Sequence, residues 1–196
     1  MRVLESLKFK DIEDTIVYDS IFNNEDFNAN ARVFNGCEFS NIDFSDKDVM
    51  NVDFIGCKFN NCLFTNTNFV RCYFKKCNIV NSKMLNTDLS NNSFDHCQML
   101  NNYMLDTNMC NIVFKKIIFK DNKMVNSYFN DSDLSNGSFE GCDLTNSEFL
   151  HTRMDHCDLS DSIIDDIKIS NDALYNVIVS SDQALILAGL LHIIIK

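Results

Sequence analysis

Nine cysteines and four histidines carry most of the reactive chemistry in this chain. Thiolates and imidazoles ligate structural zinc, paired thiols form disulfides, and a thiol beside an imidazole makes a nucleophile. Their spacing argues against all three. Cys37, Cys57, Cys62, Cys72, Cys77, Cys97, Cys142 and Cys157 stand at multiples of five residues from one another, with no C-x-x-C pair among them. His96, His151 and His156 follow the same rule one position away. On a chain that turns every five residues, His151 and His156 would diverge rather than chelate. There is no H-E-x-x-H and no phosphate-binding glycine loop. Acidic residues are plentiful, but nothing suggests a pocket that would desolvate a pair of them and shift their pKa values. The expectation is a protein with reduced, metal-free thiols, no cofactor and no enzymatic activity.

The five-residue spacing belongs to the whole chain. From Phe34 through Ile164 every fifth residue is large and apolar: Phe34, Phe39, Phe44, Val49, Phe54, Phe59 and onward without a miss. That period fits neither a helix nor a strand. Two residues before each large one sits a compact residue, often Cys, Ser or Thr. Two residues after it, Asn, Asp or Gly predominates, the types that adopt positive φ at least cost. A short extended piece followed by a corner, repeated, makes a coil. Four such units would close a square coil, with successive coils about 4.8 Å apart and hydrogen bonded as parallel strands. The sequence also repeats at twenty: Phe34, Phe54, Phe74, Phe94 and Phe114 form one inward column, and Cys37, Cys57, Cys77 and Cys97 another. All the cysteines except Cys110 occupy the compact inward site, as small buried apolar groups. The absence of proline suits a backbone whose N–H groups are committed to neighbouring coils.

Several units, Thr87-Asp88-Leu89-Ser90-Asn91, Ser132-Asp133-Leu134-Ser135-Asn136, Cys142-Asp143-Leu144-Thr145-Asn146 and Cys157-Asp158-Leu159-Ser160-Asp161 among them, resemble the A(D/N)LXX unit of the pentapeptide-repeat family. The resemblance implies an all-β fold, a right-handed quadrilateral β-helix. Phe replaces Leu early in the ladder and Cys replaces Ala at the compact site. The seven-residue step from Phe27 to Phe34 breaks the register and suggests two extra residues, bulging outward near 28–32. Leu4, Leu7, Phe9, Ile12, Ile16 and Val17 are expected to close the open end of the first coil.

The solenoid is expected over residues 1–179, with 1–33 as an N-terminal cap and irregular first coils, and a separate module over 180–196. In that module Ser181 or Asp182 is a candidate N-cap and Gly189 a candidate helix exit, before an Ile-rich tail. The segment is apolar nearly all round, more than one packing surface requires, which suggests a homodimer burying Leu185, Leu187, Leu190, Leu191, Ile193 and Ile195. This ending is similar to the C-terminal dimerisation module of the Qnr-like quinolone-resistance pentapeptide proteins. That resemblance implies a rod that imitates DNA and binds a type II topoisomerase, DNA gyrase. The projecting loops that many such proteins carry are missing here.

Charge is unevenly distributed along the rod. Residues 1–70 hold 12 acids and 6 bases, 71–120 hold 3 and 7, and 121–170 hold 11 and 3. The acidic coils nearest the C-terminal module contain Asp131, Asp133, Glu140, Asp143, Glu148, Asp155, Asp158, Asp161, Asp165 and Asp166. A stiff acidic rod suits a basic groove built for the DNA backbone and argues against direct nucleic-acid binding. An outward apolar column, Leu85, Leu105 and Val125 near Tyr103 and Tyr128, supports a different reading, a protein-interaction scaffold with another partner. No signal peptide is expected at Met1-Arg2-Val3-Leu4-Glu5 and no apolar run is long enough to cross a membrane, so the expected location is the cytoplasm.

Overall fold

The structure, a computed structural model, describes residues 5–12, 16–27 and 31–193. It is a parallel β-solenoid of about eight turns closed by one short C-terminal helix. Each five-residue unit contributes an extended segment whose compact and large residues both point inward, so burial alternates along it. The next residue turns the corner in the left-handed region, as at Asn41 (φ 54°), Asn61 (φ 56°) and Asn101 (φ 55°). Arg71, Lys76, His96 and Lys116 adopt the same conformation although none is Asn, Asp or Gly, each at a cost of roughly 1 kcal/mol. At Gly36 the small residue is required twice: φ is +69°, and a Cβ there would lie 2.5 Å from the Asp19 carboxylate one coil below.

Four units make one turn. Phe34 pairs with Phe54, Phe54 with Phe74, Phe74 with Phe94 and Phe94 with Phe114, each step twenty residues. Their rings stack along the shaft, with centroids 5.6, 5.1, 4.6 and 5.5 Å apart. Two faces form continuous sheets of six and eight strands, the first carrying this Phe column and the second the Phe39, Phe59, Ile79, Met99 column. On the third face (the Phe44, Phe64, Met84 column) and the fourth (Val49, Phe69, Leu89), many units are joined by single bridges instead.

The compact inward site has a second role that residue size alone does not reveal. At some of these sites the backbone N–H is accepted by the side chain one coil further on, and at others, Thr67 and Ser132 among them, by the carbonyl three residues back. The N–H of Cys62 donates to Ser82 Oγ (3.0 Å), that of Ser82 to Asn102 Oδ1 (2.9 Å) and that of Asn102 to Asn122 Oδ1 (2.8 Å). The same side chains donate to the carbonyl of a large residue twenty-three positions back: Cys57 Sγ to Phe34 (3.2 Å), Thr67 Oγ1 to Phe44 (2.7 Å), Asn102 Nδ2 to Ile79 (2.9 Å) and Asn122 Nδ2 to Met99 (2.7 Å). Cys, Ser, Thr and Asn recur here because each is compact and can join a core hydrogen-bond chain.

The first coil corrects the expected bulge. Val17 pairs with Phe34 and Phe22 with Phe39, a step of seventeen rather than twenty, so the stretch from Phe27 to Phe34 is short by three residues, not long by two. A complete coil needs ten residues there and seven are present. A cavity of about 290 Å³ opens beside Val49, lined by Phe27, Ala31 and Arg32, while residues 28–30, where the bulge was expected, lie outside the described residues. Phe9 plugs the coil by stacking on Phe22 (4.4 Å), with Leu7 and Ile12 packed around the plug. Val17 is buried as part of the coil itself, Ile16 faces outward, and Leu4 lies outside the described residues.

At the other end, helix Ser181–Leu190 begins at Ser180, not Ser181 or Asp182, in a capping box with Gln183. Gly189 lies inside the helix, which leaves through Leu191 while His192 takes the left-handed turn (φ 57°). Gln183 is buried, and its Nε2 donates to the carbonyls of Leu159 (2.6 Å) and Ser162 (2.7 Å). Four residues on, Leu187 turns onto the same coil and is only 7 % exposed. Together they seal the last coil.

All nine cysteines are free, and all except Cys110 are buried. Burial pushes the thiols of Cys62, Cys72 and Cys142 up to about 11 and that of Cys157 to about 12. In the stacked column, hydrogen bonds between thiols dominate. They lower Cys37 through Cys57, push Cys57 and Cys77 up to about 12, and raise Cys97 through Cys77. At pH 8 a soluble disulfide reagent should titrate at most Cys110 within minutes, and all nine thiols after guanidinium unfolding. Prompt reaction of the Cys37 to Cys97 column in the native protein would contradict this core. A second test separates size from hydrogen bonding. Asn102→Ala should cost about 3 kcal/mol in urea unfolding by stranding the Ser82 N–H and the Ile79 carbonyl, while Asn102→Ser, which can donate and accept, should cost less than half as much. Equal losses would mean that only packing matters at this site.

Candidate interaction surfaces

The ten acidic residues of the C-terminal coils are displayed around the rod, not along one side. Asp133 and Asp155 extend from the first face, Glu140 and Asp158 from the second, Asp143 and Asp165 from the third and Glu148 from the fourth, with Asp131, Asp161 and Asp166 at corners. Several of them have structural partners. Asp133, Asp143 and Asp158 each accept the backbone N–H two residues on, from Ser135 (3.0 Å), Thr145 (3.1 Å) and Ser160 (2.9 Å), closing a local turn. Asp133 also pairs with Arg153 (3.1 Å) and Glu140 with Lys120. Lys168 binds Glu148 at 2.6 Å and, with a hydrogen bond from Asn130, holds its carboxyl below the usual range. Hydrogen bonds from Asn176 and then His156 lower Asp155 in the same way. Asp131, Asp161, Asp165 and Asp166 are exposed and make no ion pair among the described residues. The acids thus divide into turn closers, ion-pair members and free surface charges, roles that their residue type does not distinguish.

Of the residues expected at a dimer contact, Leu185, Leu190, Leu191 and Ile193 are exposed, at 54, 44, 38 and 55 %. Leu187 is not available, because it is used as the lid of the protein's own last coil. Ile195 lies outside the described residues. Ile186, missed in the sequence, is exposed beside Leu185, and Ile163, Tyr175 and Ile178 are further exposed apolar residues on separate faces of the last coils.

A second apolar strip runs along the third face. Leu85 and Leu105 lie in register and half-buried, Val125 continues their column, and Leu63 and Tyr103 are exposed in the next one. The ammonium of Lys123 lies 5.6 Å from the Tyr103 ring centroid. The histidines stand at corners: His96 pairs with Asp95 (2.5 Å), His156 with Asp155 (3.2 Å) and His151 with Asp172 (3.7 Å). Among the described residues no three of His, Cys, Asp and Glu converge as a metal site, and no helix is long and apolar enough to cross a membrane.

Residues 10–104 match the family model of the SV2A/B/C luminal domain, and residues 123–161 match that of pentapeptide repeats. No curated protein matches the chain. Among solved structures, a trypsin-treated form of QnrB1, a plasmid-mediated fluoroquinolone resistance protein, is 18% identical, with a TM-score of 0.47 over 92% of this chain and 100% of that one. HetL, a pentapeptide repeat protein involved in heterocyst differentiation regulation in the cyanobacterium Nostoc sp. strain PCC 7120, is 7% identical, with a TM-score of 0.45 over 83% and 86%. A pentapeptide repeat protein from the Arabidopsis thaliana thylakoid lumen is 14% identical, with a TM-score of 0.43 over 74% and 77%. The repeats matched at 123–161 continue the five-residue ladder and the square coils built from it, so this segment of the chain carries pentapeptide repeats.

Proposed function

We propose that this protein is a non-enzymatic DNA mimic that binds and modulates a type II topoisomerase, DNA gyrase, as a C-terminally joined homodimer, with a possible link to quinolone resistance. The observation that carries this reading is the placement of the acidic coils 121–170 directly beside an exposed apolar terminal helix. Joined there about a two-fold axis, two chains would present a continuous acidic girdle on either side of the junction. The unpaired acids Asp131, Asp161, Asp165 and Asp166 would supply most of the negative charge that a basic groove meets. Without projecting loops, inhibition of supercoiling should be easier to observe than rescue from quinolones.

The dimer can be tested without disturbing the cap. Leu190→Lys combined with Leu191→Lys changes outward residues and spares Gln183 and Leu187, so it should give a folded monomer in sedimentation at micromolar concentration. A parent protein that is itself monomeric under those conditions removes the junction. For the partner, micromolar protein should compete with DNA in a gyrase supercoiling assay, less effectively as salt rises. Asp143→Asn, Glu148→Gln, Asp158→Asn and Asp161→Asn together should abolish the competition. Asn can still accept the turn hydrogen bonds at 143 and 158, and the exposed Glu148 pair contributes little, so melting should fall by only a few degrees. If the neutralised variant and the parent behave alike, a scaffold role becomes the better reading. The strip of Leu63, Leu85, Tyr103 and Leu105 favours that alternative, since exposed apolar surface of this kind marks protein contacts.

A further inference from the structure

The only stretch of the rod in which bases outnumber acids is 71–120, and four of its seven bases, Lys75, Lys76, Lys115 and Lys116, are gathered on one edge. Lys75 and Lys115 flank Asp95 in register on the first face, one coil below and one above. At the adjoining corner Lys76, His96 and Lys116 stack in the same order, tied by the Lys76 N–H to the Asp95 carbonyl and the His96 N–H to the Lys115 carbonyl (2.7 Å each). The two lysine pairs are thus held roughly 10 Å apart along a rigid edge, two coil rises at the spacing of parallel strands.

The intervening carboxylate makes no ion pair with either lysine, although it interacts with Lys75 at longer range, and one carboxylate among four ammonium groups leaves the edge positive. Asp95 is engaged by His96 Nδ1 at 2.5 Å and by the Tyr73 hydroxyl at 3.1 Å. Three other lysines are matched across coils, Lys58 with Glu38, Lys120 with Glu140 and Lys168 with Glu148. Lys75, Lys76, Lys115 and Lys116 have no such partner among the described residues. Exposed apolar side chains border the upper pair: Val113 on the first face is 51 % exposed and Ile118 on the second 39 %.

We propose that this edge is a docking site for a short acidic segment of a protein partner, one that carries two or three carboxylates with apolar residues beside them. Length selects this class of anion. The basic stretch covers only about three coils and is bounded on both sides by acidic ones, so a duplex or an anionic membrane surface laid along the rod would run into like charge within a Debye length. A peptide fits between those bounds and can place its carboxylates on the two lysine pairs and its apolar side chains on Val113 and Ile118. The proposal is independent of the topoisomerase reading, which uses the acidic coils.

The test uses the full-length protein and a fluorescein-labelled dodecapeptide of four Glu-Glu-Leu repeats, with fluorescence anisotropy as the readout. Saturable binding is expected at low ionic strength, at least tenfold weaker at 0.5 M salt. Lys115→Glu with Lys116→Glu should weaken it at least tenfold. Lys83→Glu with Lys123→Glu, the same change of net charge on the third face, should change it less than about threefold, which separates a local site from overall charge. Circular dichroism melts check that both variants remain folded. A twenty-base-pair duplex and phosphatidylserine vesicles serve as competing probes. The proposal is overturned if the peptide does not bind, if both charge reversals act alike, or if duplex or vesicles bind more tightly than the peptide.

Discussion

Backbone hydrogen bonding between coils is the constraint on which the rest of this structure depends. A square coil turns some of its N–H and carbonyl groups into an apolar shaft, where an unpaired one costs roughly 1–3 kcal/mol. Coil-to-coil bonds at the twenty-residue step satisfy most of them. The remainder fall at the compact inward sites, and there the side chain of the next coil completes the set, as Ser82, Asn102 and Asn122 do in succession. That is why buried Asn is tolerated beside stacked Phe rings. It also gives the cysteines their place: their weakly donating thiols reach the same carbonyls and are otherwise chemically quiet.

The same constraint organises the surface. Because every coil repeats the one before it, outward residues stand in columns about one strand spacing apart, and a charge either faces its counterpart on the next coil or stays free. Lys58 above Glu38 and Lys168 above Glu148 illustrate the first case, the four lysines around Asp95 the second. Acidity as counted along the chain therefore overstates the available negative surface. Asp143 and Asp158 hold their own turns, while Asp161, Asp165 and Asp166 project freely.

An unending ladder needs ends, and both are closed by residues outside the repeat. Phe9 lies flat on Phe22, extending the ring stack by one member. At the far end a polar side chain ties the helix to carbonyls of the coil beneath it. Gln183 supplies the donors for Leu159 and Ser162, and Leu187 covers the apolar part. With these two residues committed, Leu185, Ile186, Leu190 and Leu191 remain exposed among the described residues.

The architecture was legible in the sequence because a solenoid contact links residues at a constant separation. The Phe34 to Phe114 column could be read from spacing alone, and so could the left-handed corners and the burial of the cysteines, since each follows from a local five-residue rule repeated in register. What the sequence did not determine lies where the rule lapses or where a residue type has more than one use. The step from Phe27 to Phe34 could signal a gain of two residues or a loss of three. Only the pairing of Val17 with Phe34 decided for the loss. Leu187 and Leu185 look alike in an apolar helix, and only the direction of Gln183 toward the last coil shows which of the two is buried. Asp143 and Asp161 are both simply acids in the sequence. Their separation into turn closer and free charge depends on which backbone N–H lies within reach, a distance that exists only once the coil has closed.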